Sequence, residues 1–279
     1  MLDFADGYQV FADDRAQWLI ARPDGRFLRL GGPPEVIAAL ITAVRAGTAE
    51  RTALDGVPGE LAEQLLARGV LVDRAHRPVR SGRVLLDGDN ILADALESLL
   101  ITLGHSVIRG DALTAELSGC DAVAACATVL PDTRWQRLDA RCAETATAWH
   151  RGYCEGDSLV LGPCTLPART ASYRDTRGRL LAASLTPDEL AALWRHGDTP
   201  DAHRPRPDAA AAAVAAGLLA LDLDALLRGD ELPSEGRQLV FHPGSGHLTR
   251  HPVLPLPSTA ALPFDSSEFL SGAMVSGSA

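Results

Sequence analysis

The chain has 279 residues, is 46% hydrophobic and only 5% aromatic, and carries a formal net charge of −10. That length accommodates one large domain or two modest ones with real cores. The acidic balance repels phosphate backbones and argues against sequence-independent nucleic-acid binding.

In chain order, residues 8–11, 17–22 and 26–30 are strand candidates. Pro23-Asp24-Gly25 joins the last two as a hairpin. Gly31-Gly32-Pro33-Pro34 ends this sheet. Val36, Ile37, Leu40, Ile41 and Val44 form a helical stripe over 35–45. Residues 48–54 suit a short second helix. A third is expected over 58–68, with Pro58 in its first turn and Gly69 just past its end. An extended stub follows at 70–72. Three strands, three helices and a stub outline a small winged helix-turn-helix, ending in a polar linker at 74–82.

A second rhythm then begins. Strands are expected at 84–86, 106–108, 122–127, 149–153 and 158–161, with helices over 91–103 and 132–145. Strands alternating with helices imply a parallel, doubly wound sheet. Residues 187–196 and 208–227 read as helices, the alanine run at 209–213 adding helix propensity without chemistry. Residues 237–242 and 247–253 read as a hairpin around Pro243-Gly244-Ser245-Gly246. The Ser/Gly/Ala-rich residues 263–279 read as a disordered tail.

The N-terminus has no basic segment followed by an apolar run, so no secretory signal is expected. No apolar stretch is expected to reach the roughly 20 residues that span a bilayer, and no membrane partner is expected. Five cysteines, an odd count, form no C-x-x-C pair, which argues against a disulfide framework and a cysteine zinc site. The expected compartment is the cytoplasm.

The strand–turn–helix beginning at residue 83 occupies the place of a dinucleotide loop. There G-x-G-x-x-G reads Gly88-Asp89-Asn90-Ile91-Leu92-Ala93. Only the first glycine is present, and Asp87 and Asp89 put negative charge where a phosphate would approach. Asp111 lies at about the distance of a ribose-binding acid. No nucleophile motif surrounds Ser158, Ser172 or the cysteines. His150, His242, His247 and His251 lack a carboxylate or cysteine cluster at ligand spacing and read as strand-end polar residues. The third helix carries Glu60 and Glu63 against one arginine, Arg68, the reverse of a DNA-recognition helix. What the N-terminal region does offer is an edge strand beside a helix, to which an extended peptide can add.

Taken together, residues 1–78 resemble a RiPP recognition element, the PqqD-like winged helix that binds leader peptides. Residues 79–262 resemble the E1-like (ThiF-like) domain of cyclodehydratase partner proteins in thiopeptide and thiazole/oxazole-modified peptide pathways. The resemblance rests on W-H-R-G-Y-C-E-G-D-S-L-V-L-G-P at 149–163 and G-H-L-T-R-H-P-V-L-P-L-P at 246–257. Family members often carry a C-x-x-C in each of two loops; here the positions hold Ser172 and Asp175, then Ser258 and Ala261. The resemblance therefore implies neither zinc nor nucleotide as a cofactor and no catalytic residue. It implies a protein that binds a precursor's leader and delivers it to a YcaO-type cyclodehydratase for azoline formation, with a homodimer as the expected assembly. The leader would add beside 26–30 and pack on 58–68, contacting Arg26, Phe27, Leu28, Arg29, Leu30, Leu61, Gln64, Leu65 and Arg68. The alternatives are an ATP-dependent adenylating E1-like enzyme and a winged-helix DNA-binding regulator.

Overall fold

The computed structural model describes residues 1–73, 81–199, 201–203 and 207–257. The chain divides into two compact units, Met1–Val79 and Arg80–Ala279. Most of the expected linker and all of the expected tail at 263–279 lie outside the described residues.

In the first unit, β1 (Leu2–Phe4) pairs antiparallel with β5 (Leu71–Asp73), closing the unit end to end. Between them β2 (Gln9–Ala12), β3 (Trp18–Ala21) and β4 (Phe27–Arg29) form an antiparallel meander with β4 at one edge. Helices α1 (Pro34–Arg45) and α2 (Gly56–Ala67) follow. Their apolar stripes, Ile37, Leu40, Ile41 and Val44 from α1 and Ala62 and Leu65 from α2, meet Leu2, Val10, Ile20, Val70 and Leu71 in one core. Each fully buried aliphatic side chain contributes about 1.5–3 kcal/mol. Gly69 ends α2 in the left-handed region, φ +66°, and the Val70 N–H returns to the Leu65 carbonyl at 2.9 Å. The expected helix over 48–54 is only a 3-10 turn, Arg51–Ala53, with no buried residue. Without an apolar stripe nothing pulls those residues into a longer helix.

The second unit is built on one seven-stranded sheet in the order β12-β11-β10-β9-β8-β6-β7. Strands β6 (Arg83–Asp87), β7 (Ser106–Arg109), β8 (Ala122–Cys126) and β9 (Ala148–Glu155) are parallel. The sheet is not parallel throughout, as the alternation of elements had suggested. From β9 it turns antiparallel through β10 (Ser158–Leu161), β11 (Arg237–His242) and β12 (His247–Pro252). The reason is local: only Gly156 and Asp157 separate β9 from β10, too few residues for a parallel crossover.

Helices cover both faces. Helices α3 (Ile91–Thr102) and α7 (Ala209–Arg228) pack on one, against Leu86, Ala124 and Leu161. Helices α4 (Asp132–Glu144), α5 (Tyr173–Ala183) and α6 (Pro187–Gly197) cover the other, where Trp135, Trp149, Tyr153 and Tyr173 interlock edge to face. Helix α5 has no counterpart among the sequence expectations, because its mixed polar sequence carries only a weak apolar stripe. Helix α7 corrects another expectation: its 20 residues are long and apolar enough to cross a membrane. Here Ala212, Ala215, Ala216, Leu219 and Leu223 are buried in the core.

Candidate functional site

The edge of β4 is open in a defined way. The Leu30 N–H donates to the Trp18 carbonyl, and the Arg26 carbonyl accepts from the Arg22 N–H, both at 2.9 Å. In an antiparallel ladder the direction alternates from residue to residue. Leu28 therefore faces Ile20, its register partner, while the backbone N–H and C=O of Phe27 and Arg29 point outward. No strand covers that side among the described residues. The Phe27 side chain is 64% exposed and meets Phe11 edge to face at 6.3 Å. Arg26 and Arg29 are exposed, Leu28 and Leu30 half-buried.

Beyond the end of β4 a small cavity of about 90 Å³ is lined by Gly31, Gly32, Val36, Val57, Leu61 and Gln64. This separates the expected helix residues. Leu61 and Gln64 line the groove; Leu65 is 3% exposed and belongs to the core, and so offers a peptide nothing. Arg68, at the C-cap of α2, is exposed and does not line the groove. Sequence reasoning missed Val57, 52% exposed. Its signal was present: 57, 61 and 64 share one helix face at i, i+4 and i+7.

In the second unit the β6–α3 turn forms a cleft of about 670 Å³ with the end of β7. Asn90 caps α3: its side-chain oxygen accepts from the Leu92 and Ala93 N–H groups, and its amide donates to the Cys126 carbonyl at 2.9 Å. The helix-end donors that would hold a phosphate are thus engaged from within. Gly88 has φ +147°, and a Cβ there would lie 2.3 Å from the Cys126 carbonyl oxygen; this glycine serves close packing of the turn on β8. Arg109 is tied to Asp94 and Glu97 at 2.7 and 2.8 Å, and Arg134 to Asp87 and Asp111 at 2.6 and 2.8 Å. The Arg134 hydrogen bond holds the Asp111 carboxyl below the usual carboxylate range. Five carboxylates (Asp87, Asp89, Asp94, Glu97, Asp111) face two guanidiniums around this cleft, a poor field for a polyphosphate. Calorimetry with ATP and magnesium is expected to give no constant in the millimolar range or tighter; a micromolar constant would overturn this.

Ser172 and Asp175, at two of the positions where relatives by resemblance carry cysteines, form a reciprocal capping box at the start of α5. Asp175 also accepts from the Leu256 N–H at 3.1 Å, and Arg179 donates to the Leu254 and Pro255 carbonyls. The segment leading toward Ser258 and Ala261, which lie outside the described residues, is therefore fastened to α5 by hydrogen bonds. Among the described residues no group of three or more His, Cys, Asp or Glu is placed to hold a metal. His150 binds Asp222, His242 stacks on His247 across the hairpin, and His251 bonds Thr249. Elemental analysis of the purified protein is expected to find no stoichiometric zinc; one zinc per chain would refute that.

No protein-family model matches the chain, and no curated protein matches it by sequence. Solved structures do match. A heterocyclase in complex with substrate and cofactor aligns with a TM-score of 0.66 at 16% identity, covering 91% of this chain and 38% of that one. The heterocyclase TruD aligns at 0.70 and 15% identity, covering 92% and 42%. Escherichia coli MccB aligns at 0.61 and 11% identity, covering 92% and 95%; further structures of MccB hold ATP or MccA. The chain spans about two-fifths of the heterocyclases it matches. At these identities the likeness shows the fold alone, a mixed α/β architecture shared with the heterocyclase TruD and with MccB.

Proposed function

We propose that this chain is a peptide-presenting partner protein in the modification of a ribosomally made precursor. The first unit acts as a winged-helix leader-binding domain, a RiPP recognition element, and the second as an E1-like (ThiF-like) scaffold that does not adenylate. The observation that carries the reading is the open edge of β4. Outward backbone groups at Phe27 and Arg29 give a leader strand its affinity, and the groove with Val57, Leu61 and Gln64 beside it reads side chains. The heterocyclase complexed with substrate supports a role in ring formation. That heterocyclase is more than twice as long as the part this chain matches, and a separate YcaO-type cyclodehydratase would provide the ring-forming chemistry. Holding the leader raises the effective concentration of the core peptide at that second active site.

A fluorescently labelled leader, taken from any short peptide gene found beside this one, tests the reading by polarisation with the full chain. Saturable binding is expected; its absence defeats the proposal. The second reading, an adenylating enzyme, draws support from MccB, which this chain matches over nearly its whole length and which has been solved with ATP. The acidic, internally paired cleft weighs against it. Peptide-dependent exchange of pyrophosphate into ATP would reverse the preference.

A further inference from the structure

The second unit holds another cavity, of about 410 Å³, that the reading above does not use. Val129, Leu130, Tyr153, Leu193 and Trp194 form its walls, and Glu155 stands with them. It lies at the C-terminal end of β9 and shares Val129 with the crevice at the end of β8. The C-terminal ends of parallel strands are where open α/β sheets take ligands, and the volume is within the range of small-molecule sites.

Polar side chains also line this largely apolar cavity: the exposed His196 and His203, and the pair Trp194 and Glu155. Trp194 is 3% exposed, and its Nε1–H has no hydrogen-bond partner among the described residues. A buried donor left unmade costs about 1–3 kcal/mol, and a buried indole N–H normally finds an acceptor. The ring is held in place: the Arg177 guanidinium lies 5.4 Å from its centroid and is itself bound to Asp132 at 2.9 Å. The second group is Glu155, at the solvent-exposed mouth. Desolvation by the surrounding apolar wall raises its carboxyl above the ordinary value; the nearby Trp194 indole draws it the other way, yet no hydrogen bond of good geometry closes between the two.

The buried indole donor and the Glu155 acceptor beside it discriminate among ligands. A carboxylate would satisfy the indole and be repelled by Glu155. An ammonium would satisfy Glu155 and leave the indole N–H unmet. A secondary amide on an apolar body answers both, its carbonyl accepting from Trp194 and its N–H donating to Glu155. We propose that this cavity binds an apolar group carrying a neutral amide, that is, an aliphatic residue of a peptide. The site belongs to the second unit and the β4 groove to the first, and its test uses no leader.

The chain has four tryptophans, so a full-length sample labelled with nitrogen-15 at its indoles gives a small set of Nε1–H resonances, and Trp194→Phe identifies the one concerned. Titration with N-acetyl-leucine N-methylamide, up to its solubility limit, should shift that resonance saturably. Isoamylamine and isocaproate should bind at least about tenfold more weakly, and Glu155→Ala should weaken the amide by about two- to tenfold, the loss of one hydrogen bond. No saturable shift, tighter binding of the amine or the carboxylate, or an unchanged affinity in Glu155→Ala would each overturn the assignment.

Discussion

Replacing Arg29 with proline is expected to weaken leader capture by about ten- to a hundredfold while the first unit stays folded. The Arg29 N–H points away from β3, so its loss breaks no internal hydrogen bond, and edge positions of this kind tolerate proline. Leu28 before it is already extended in the strand, as a residue preceding proline must be. What is removed is a donor that an added strand needs, and the ring fills the space where that strand would lie. One lost backbone hydrogen bond costs about 0.5–1.5 kcal/mol net. Displacement of the flanking residues adds to this, so affinity should fall by about ten- to a hundredfold. Polarisation measures the binding and a circular-dichroism melt measures the fold. Leu28→Pro is the converse control: it removes the N–H facing Ile20 inside the ladder and should lower the melting temperature. Unchanged leader affinity in Arg29→Pro would defeat strand addition as the binding mode.

Much of this architecture was legible because its signals are local. The stripe from Val36 to Val44 and the Gly69 terminator mark helices without reference to anything distant. The hairpin around residues 243–246 is equally plain. What escaped depends on partners far along the chain. Residues 2–4 become a strand only because Leu71–Asp73 arrives to pair with them. Leu61 and Leu65 are both apolar and one turn apart, and only the packing of α1 decides that Leu65 enters the core while Leu61 stays at the groove. The acidity of the β6–α3 turn could be read at Asp87 and Asp89. That Arg109 and Arg134 neutralise parts of it could not, since those contacts span 12 to 47 residues.

The capping box at Ser172 and Asp175 occupies a place where the resemblance would put thiolates. A structural zinc would join α5 to the segment near residue 258 through four soft ligands. Here one carboxylate performs both local tasks, accepting from the Ser172 N–H to start the helix and from the Leu256 N–H to hold the segment. Leu256 also packs against Gly178, where a Cβ would lie 2.9 Å from its side chain. The absence of cysteines could be read in the sequence; the hydrogen bonds between α5 and residues 254–256 could not.

The largest stability effect is expected at Asp222→Ala. Asp222 and His150 are each 1% exposed, and His150 Nε2 lies 3.0 Å from the Asp222 carboxylate. His150 Nδ1 accepts from the Arg151 N–H at 3.0 Å, so the proton given to Asp222 is on Nε2. Ser234 donates to the same carboxylate through both its backbone N–H and its hydroxyl. This one group fastens α7, β9 and the loop before β11. Burial pushes the Asp222 carboxyl up, but the hydrogen bonds from His150 and Ser234 outweigh it and hold the carboxyl below its ordinary value. A depressed carboxylate stabilises the fold above its unfolded pKa, about 3.9, and that contribution is lost as pH falls through the lower folded value. Alanine leaves three buried donors unmet, each costing about 1–3 kcal/mol, so the loss should be at least about 3 kcal/mol. At about 2–4 °C per kcal/mol for a unit of this size, calorimetry at neutral pH should record a drop in melting temperature of roughly 10 °C. The same deficit should shrink when the comparison is repeated well below pH 4, where the native carboxylate is itself protonated. A deficit that stays constant with pH would show that Asp222 stabilises by packing rather than by charge.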